Sequence, residues 1–156
     1  MIFTTKAEYG VRLLVELGRH GSENPVSLKS IAEGEGLPLA YLERIVALLK
    51  KAELVESTRG AHGGYRLSRP PEAITMDEVV LSLEGAVAPM SCFIDDTEEG
   101  RVLCSHLGDH GIGCATKLLW TRVQGGVIKA LAQTTLSELV GFQARNAAPP
   151  REPVSA

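Results

Sequence analysis

Outside one window of 23 residues this chain has no cysteine: the three it carries are Cys92, Cys104 and Cys114. An odd number of thiols crowded into one stretch is not the disulfide framework on which small secreted domains rely. No apolar run approaches the ~20 residues a membrane-crossing helix needs. The start, Met1-Ile2-Phe3-Thr4-Thr5-Lys6, lacks the basic-then-apolar layout of a secretion signal. These absences predict a cytoplasmic protein with no membrane partner. Also missing is a glycine-rich strand-to-helix turn for a nucleotide, because Gly63-Gly64 falls in a hairpin pattern. No motif suggests a Ser/His/Asp or Cys/His catalytic set, so an enzyme is not expected. No segment repeats.

What is present suits one packed domain with an appendage: 156 residues, 44% of them apolar and 22% charged. The net charge of −3 hides an asymmetry. Residues 1–69 hold ten Lys and Arg against eight Asp and Glu, whereas residues 70–156 hold six against eleven. A mildly basic front and an acidic back fit a DNA reader joined to something else.

Apolar residues at Ala7, Val11, Leu14, Val15 and Leu17 have helical spacing, which predicts a helix over 5–20 ended by Gly21. Asn24-Pro25 makes a turn. Ser27 then caps a short helix with Leu28, Ile31 and Ala32 inside, broken by Gly34 and Gly36. Pro38 falls in the first turn of a third helix that presents Leu42, Ile45, Val46 and Leu49 at i, i+3, i+4 and i+7. Lys50 and Lys51 complement the negative end of its dipole. Two helices joined by a tight glycine-bearing turn form a helix-turn-helix. Strands at 54–57 and 65–68 flank the turn Gly60-Ala61-His62-Gly63-Gly64, which adds a wing. Arg59 and His62 sit on that hairpin with Arg66 and Arg69 behind, and glycines such as Gly63 would let its backbone approach a phosphate or a minor-groove wall.

Pro70-Pro71 closes a DNA-binding unit over 1–71. Thr75-Met76-Asp77-Glu78 is a capping box opening a helix with Val79, Val80 and Leu83 inside, ended by Gly85. A loop-like stretch over 86–113 holds Cys92 and Cys104. Cys114 starts a long helix over 115–132 that presents Leu119, Val123, Val127 and Leu131 on one side. That apolar stripe predicts a homodimer. Thr135-Leu136-Ser137-Glu138 is a second capping box for a last short helix, so residues 72–145 form the second unit, and 146–156 read as a disordered Ala/Pro-rich tail. The expected fold is mainly α with a small β-wing: a winged helix-turn-helix plus a long dimerisation helix. Three thiolates suit zinc or an iron–sulfur cluster. Zinc would use Cys92, Cys104 and Cys114 with His106 or His110, but the gaps of eleven and nine residues do not resemble a zinc knuckle. Three unrelated thiols are the plain alternative.

Thr5-Lys6-Ala7-Glu8-Tyr9-Gly10, Leu39-Ala40-Tyr41-Leu42-Glu43-Arg44-Ile45, the wing Arg59-Gly60-Ala61-His62-Gly63-Gly64-Tyr65-Arg66-Leu67 and Cys114-Ala115-Thr116-Lys117-Leu118-Leu119-Trp120 resemble the IscR/NsrR/RirA regulators of the Rrf2 superfamily. The resemblance runs from residue 1 to about 141, with one stretched loop. It implies a homodimer in which three cysteines per subunit hold an iron–sulfur cluster, 2Fe–2S rather than 4Fe–4S. The family spaces these cysteines more closely. Its histidine ligand position is Lys117 here, which is no ligand, whereas the carboxylate ligand of the NsrR-like subgroup falls on Glu8, supplied by the partner subunit; His106 and His110, inside the cysteine stretch, are the rival fourth ligands. By family position Ala40, Tyr41, Glu43 and Arg44 would face DNA from the third helix. Arg44 would suit guanine, Glu43 cytosine N4, and Tyr41 a phosphate. The expected function is a repressor, bound to a double-stranded operator, that controls iron–sulfur cluster assembly genes. Nitric oxide sensing, iron sensing and a zinc-stabilised DNA-binding protein are the alternatives.

Overall fold

The computed structural model describes residues 3–21, 23–88 and 115–146. Among these the protein is mainly helical with one two-stranded antiparallel sheet, as its patterning leads one to expect. Helix α1 spans Thr5–His20 and starts at Thr4, whose side chain accepts from the Lys6 N–H. Helix α2 spans Leu28–Glu35; the Ser27 hydroxyl caps it by accepting from Ser30 N at 3.1 Å. Gly36 ends it in the left-handed conformation at φ 65°, which glycine adopts at little cost. Helix α3, Leu39–Lys51, buries Leu42, Ile45, Val46 and Leu49. Pro38 stands one residue earlier than expected, at the N-cap, where its carbonyl accepts from Tyr41 N and Leu42 N at 3.1 Å each.

Strand β1 is Val55–Thr58 and β2 is Gly64–Leu67, each one residue off the expected span. The reason is that Leu54 N closes the end of α3 onto Leu49 O at 3.0 Å, so its N–H belongs to the helix cap. The strands pair from Val55↔Leu67 to Thr58↔Gly64. A third segment joins them: Val26 exchanges backbone hydrogen bonds of 2.9 and 2.8 Å with Tyr65. The wing is therefore stitched to the stretch before α2.

A 3₁₀ turn at Pro71–Ala73 leads into α4, Met76–Glu84; α5 is Ala115–Gln133 and α6 is Leu136–Asn146. The two capping-box segments lie side by side, with Met76 N donating to Thr134 O and Leu136 N to Ile74 O, both at 2.9 Å. One hydrophobic cluster includes Leu13 and Leu17 of α1, Leu42 and Leu49 of α3, Val79 and Leu83 of α4 and Leu136 of α6, so the core runs on across position 71. Two glycines on α1 permit this approach. Leu83 Cδ1 takes the place a Cβ on Gly10 would need, and Val140 Cγ2 lies 2.7 Å from where a Cβ on Gly18 would stand. Among the described residues no helix is long and apolar enough to cross a membrane.

Candidate nucleic-acid interface

The burial of α3 fixes which residues face outward. With Leu42, Ile45, Val46 and Leu49 turned into the core, Ala40, Glu43, Arg44 and Ala47 share the exposed face at i, i+3, i+4 and i+7 spacing. Tyr41 lies between the two faces, half-buried, with its ring edge-on to Tyr9 of α1 at a centroid distance of 5.6 Å and an interplanar angle of 87°. A shallow groove of about 470 Å³ between α1 and the start of α3 is lined by Thr5, Tyr9, Pro38, Ala40, Tyr41 and Arg44. The four residues of α3 expected to face DNA, Ala40, Tyr41, Glu43 and Arg44, therefore stand together. Pro38 offers no side-chain cap and the first turn carries no acidic residue, so the N-terminal end of α3 presents bare N–H groups. That end favours a negative charge in front of it.

The wing supplies a second exposed element. Arg59, Ala61 and His62 are exposed at its tip, and Gly63 N donates to Gly60 O at 3.0 Å to close the turn. Gly60 has φ 119°, a conformation open to glycine and strained for other residues. The glycine pair has an internal reason as well. The carbonyl of Thr58 occupies the space of a Cβ on Gly63, and a Cβ on Gly64 would lie 2.5 Å from Val26 O. Gly63 is half-buried, and its missing side chain serves the packing of the hairpin itself.

The cations divide into two groups. Arg66 pairs with Glu56 at 2.6 Å, and Arg69 bonds both Glu78 at 3.1 Å and Ala73 O at 3.1 Å. Lys50 donates to Ser57 Oγ at 2.8 Å. Arg44 and Arg59, by contrast, make no hydrogen bond or ion pair with any described residue and are exposed. These two guanidiniums, one on the helix and one on the wing, are therefore open to an outside anion or base edge.

Cys92, Cys104 and Cys114, with His106 and His110, lie outside the described residues. Among the described residues no group of three or more His, Cys, Asp or Glu is arranged to hold a metal. Glu8 is described: its side chain is 63% exposed in α1 and pairs with Arg12 Nε at 3.2 Å.

Three features carry almost no signal in the sequence. The first is the Val26–Tyr65 stitch, and the second is the Tyr9–Tyr41 contact. The third is a clasp in which Glu84 Oε1 accepts from Thr4 N at 3.0 Å and Thr4 Oγ1 at 2.6 Å, across 80 positions. Only the β-branched Val26 hints at the first, and one residue is too short a strand to read.

The profile of a family described as Rrf2, iron-dependent transcriptional regulator, matches residues 3–141. The protein rrf2 of Nitratidesulfovibrio vulgaris is 36% identical over 140 residues, which covers 90% of this chain and 87% of that one. The structure of CymR, described as the global cysteine regulator of Bacillus subtilis, superposes with a TM-score of 0.72 at 35% identity, covering 91% of this chain and 98% of that chain. The structure of IscR from T. potens gives a TM-score of 0.72 at 35% identity, covering 96% and 93%.

Proposed function

The chain belongs to the Rrf2 family of transcriptional regulators, and from that premise we propose that it is a cytoplasmic, homodimeric repressor whose grip on a DNA operator depends on an iron–sulfur cluster. Its relatives are named as regulators, not enzymes. The observation that carries the cluster reading is the concentration of all three cysteines between positions 92 and 114 in a chain with none elsewhere. Three thiolates and a carboxylate are a donor set that suits iron. Cys92, Cys104 and Cys114 hold the cluster, 2Fe–2S in type, and Glu8 of the partner subunit completes it. The exposure of Glu8 supports that role. Its pair with Arg12 is a surface i,i+4 pair, worth about 0.3–0.5 kcal/mol and easily given up. A bound cluster would supply an oxidisable iron centre, and the protein would supply its ligands and the DNA-reading surface.

In this reading Arg44 and Glu43 meet base edges in the major groove, Ala40 lies against them, and Tyr41 touches a phosphate. Arg59, His62 and Gly63 follow the backbone or minor groove from the wing. The exposed Leu118, Leu119 and Ile128 of α5 support a dimer interface there. Two reading helices then address half-sites about one DNA turn, roughly 34 Å, apart. The regulated genes are those of iron–sulfur cluster assembly.

A second reading is favoured by the match to CymR, which has the same TM-score and identity as the IscR match and covers 91% of this chain. In it the chain regulates in response to cysteine status, and its three thiols hold no cluster. Anaerobic absorption with iron and sulfide analysis separates the two. Visible charge-transfer bands with iron and acid-labile sulfide near two per subunit are expected for a 2Fe–2S protein. A colourless, iron-free protein after anaerobic reconstitution contradicts the cluster reading.

A further inference from the structure

We propose that Glu84 and Tyr9 are positioning residues for the reading helix: α4 holds the start of α1 through Glu84, and α1 in turn holds the first turn of α3 through Tyr9. This rests on the reading that the first turn of α3 meets DNA bases.

The geometry forms a chain of contacts through three helices. Glu84 is the last residue of α4, and its side chain is only 8% exposed. Its Oε1 accepts from both the N–H and the hydroxyl of Thr4, the N-cap of α1, and its Oε2 lies 3.9 Å from Lys6 Nζ. One position earlier, Leu83 fills the space left by the missing side chain of Gly10, and Ile45 Cγ2 of α3 lies 3.5 Å from the same point. The adjacent residue on α1, Tyr9, meets the ring of Tyr41 edge-on. Neighbouring residues on α4 thus grip the first two turns of α1, and neighbouring residues on α1 grip α3.

The first turn of α3 needs such support. Pro38 has no side-chain acceptor to cap that turn, and Leu39 and Ala40 are exposed. Tyr41 is the side chain of that turn that reaches sideways to another helix, and Tyr9 is what it reaches. Ala40, Glu43 and Arg44 flank Tyr41 on the outward face. A shift of α1 at its start is therefore transmitted to the register of the base-facing residues, with no residue of the clasp touching DNA.

The test uses the full chain, the tightest duplex recovered from a random library by selection with wild-type protein, and a scrambled duplex of equal length. Glu84→Ala and Tyr9→Leu are each expected to lose about tenfold in affinity on the selected duplex and less than about twofold on the scrambled one. Their salt dependence stays that of wild type, since no Lys or Arg that neutralises a phosphate is removed. The double variant loses no more than the weaker single, because both act on one contact chain. Glu84→Gln, whose amide oxygen still accepts from Thr4, and Tyr9→Phe, which keeps the ring contact, restore binding to within about twofold of wild type. Should Glu84→Ala fail to fold, Tyr9→Leu with Tyr9→Phe carries the test. Equal losses on both duplexes, a changed salt slope, additive losses, or no rescue by the conservative variants overturns the proposal. Arg44→Ala is the reference: if it leaves selected-duplex affinity unchanged, the α3 reading itself fails and the proposal with it. If Arg44→Ala weakens binding while Glu84→Ala and Tyr9→Leu do not, only the positioning roles fail.

Discussion

Helix α3 buries each of its core-facing residues Leu42, Ile45, Val46 and Leu49 to 3% exposure or less, whereas in the longer helix α5 Leu118, Leu119 and Ile128 stand 59%, 55% and 39% exposed. Val123, Val127 and Leu131 of the expected stripe are half-buried, and Leu119 is open. Both helices carry apolar residues at helical spacing, but they find different partners. Helix α3 is covered by its own chain, through α1, α2 and α4. Helix α5 leans on α4, with Gln124 donating to Val87 O at 2.8 Å, and leaves an apolar side in solvent among the described residues. Helix α3 thus sits in a closed core, whereas α5 keeps an apolar side that a second copy would cover in the proposed homodimer.

The comparison can be broken by substitutions made in pairs across the two regions. The largest effect belongs to the closed core. Leu136→Ala removes a fully buried side chain that ties α6 to α1 and should cost about 2–5 kcal/mol in urea unfolding. Leu119→Ala should cost under about 1 kcal/mol at a concentration where the protein is monomeric, and should weaken self-association in sedimentation instead. Equal losses in both would mean that α5 is as enclosed as the core.

Next in size is the DNA surface. Arg44→Ala should lose about 1–3 kcal/mol on a selected duplex and much less on random DNA, while Arg59→Ala should weaken both and reduce the salt slope by about one. Arg66→Ala and Arg69→Ala, whose cations already have partners within the chain, should change DNA affinity less than either. Filter-binding titrations across a salt series distinguish the four.

Glycine-to-alanine substitutions should differ in sign between the regions. Gly64→Ala drives a Cβ into the Val26 backbone and should destabilise by about 1–3 kcal/mol. Gly125→Ala meets nothing within 4 Å and lies inside a helix, so it should stabilise the monomer by about 0.5–1 kcal/mol. If Gly125→Ala instead weakens the dimer, a partner helix packs closely at that point. The smallest effect should come from Glu53, a non-glycine residue at φ 57°. Glu53→Gly should raise stability by a few tenths of a kcal/mol up to about 1 kcal/mol, read by thermal melting.

Local chemistry was the legible part of this fold. Ser27 caps α2, Gly36 ends it, and Thr75 with Glu78 opens α4, each through groups within a few residues of one another. The inward face of α3 follows from periodicity alone, and the outward face with Ala40, Glu43 and Arg44 follows from the inward one. Boundaries slipped where one residue had two claims on it, as at Leu54, whose N–H serves the α3 cap and not the strand. What could not be read were contacts between distant segments. Nothing local to Thr4 announces Glu84, nothing near Tyr9 announces Tyr41, and the free or paired state of each arginine depends on acids brought close only by folding.

The central claim is that the cluster held by Cys92, Cys104 and Cys114 controls the reading surface formed by α3 and the wing. The most direct measurement is anaerobic titration of one selected operator duplex with reconstituted wild-type protein and with the Cys92→Ala, Cys104→Ala and Cys114→Ala variants, iron content being determined on the same samples. The account predicts that each variant fails to hold iron and departs from the holo-protein in operator affinity by about tenfold or more, while random-duplex affinity stays within about twofold. Variants that lack iron yet bind the operator as the holo-protein does would contradict it.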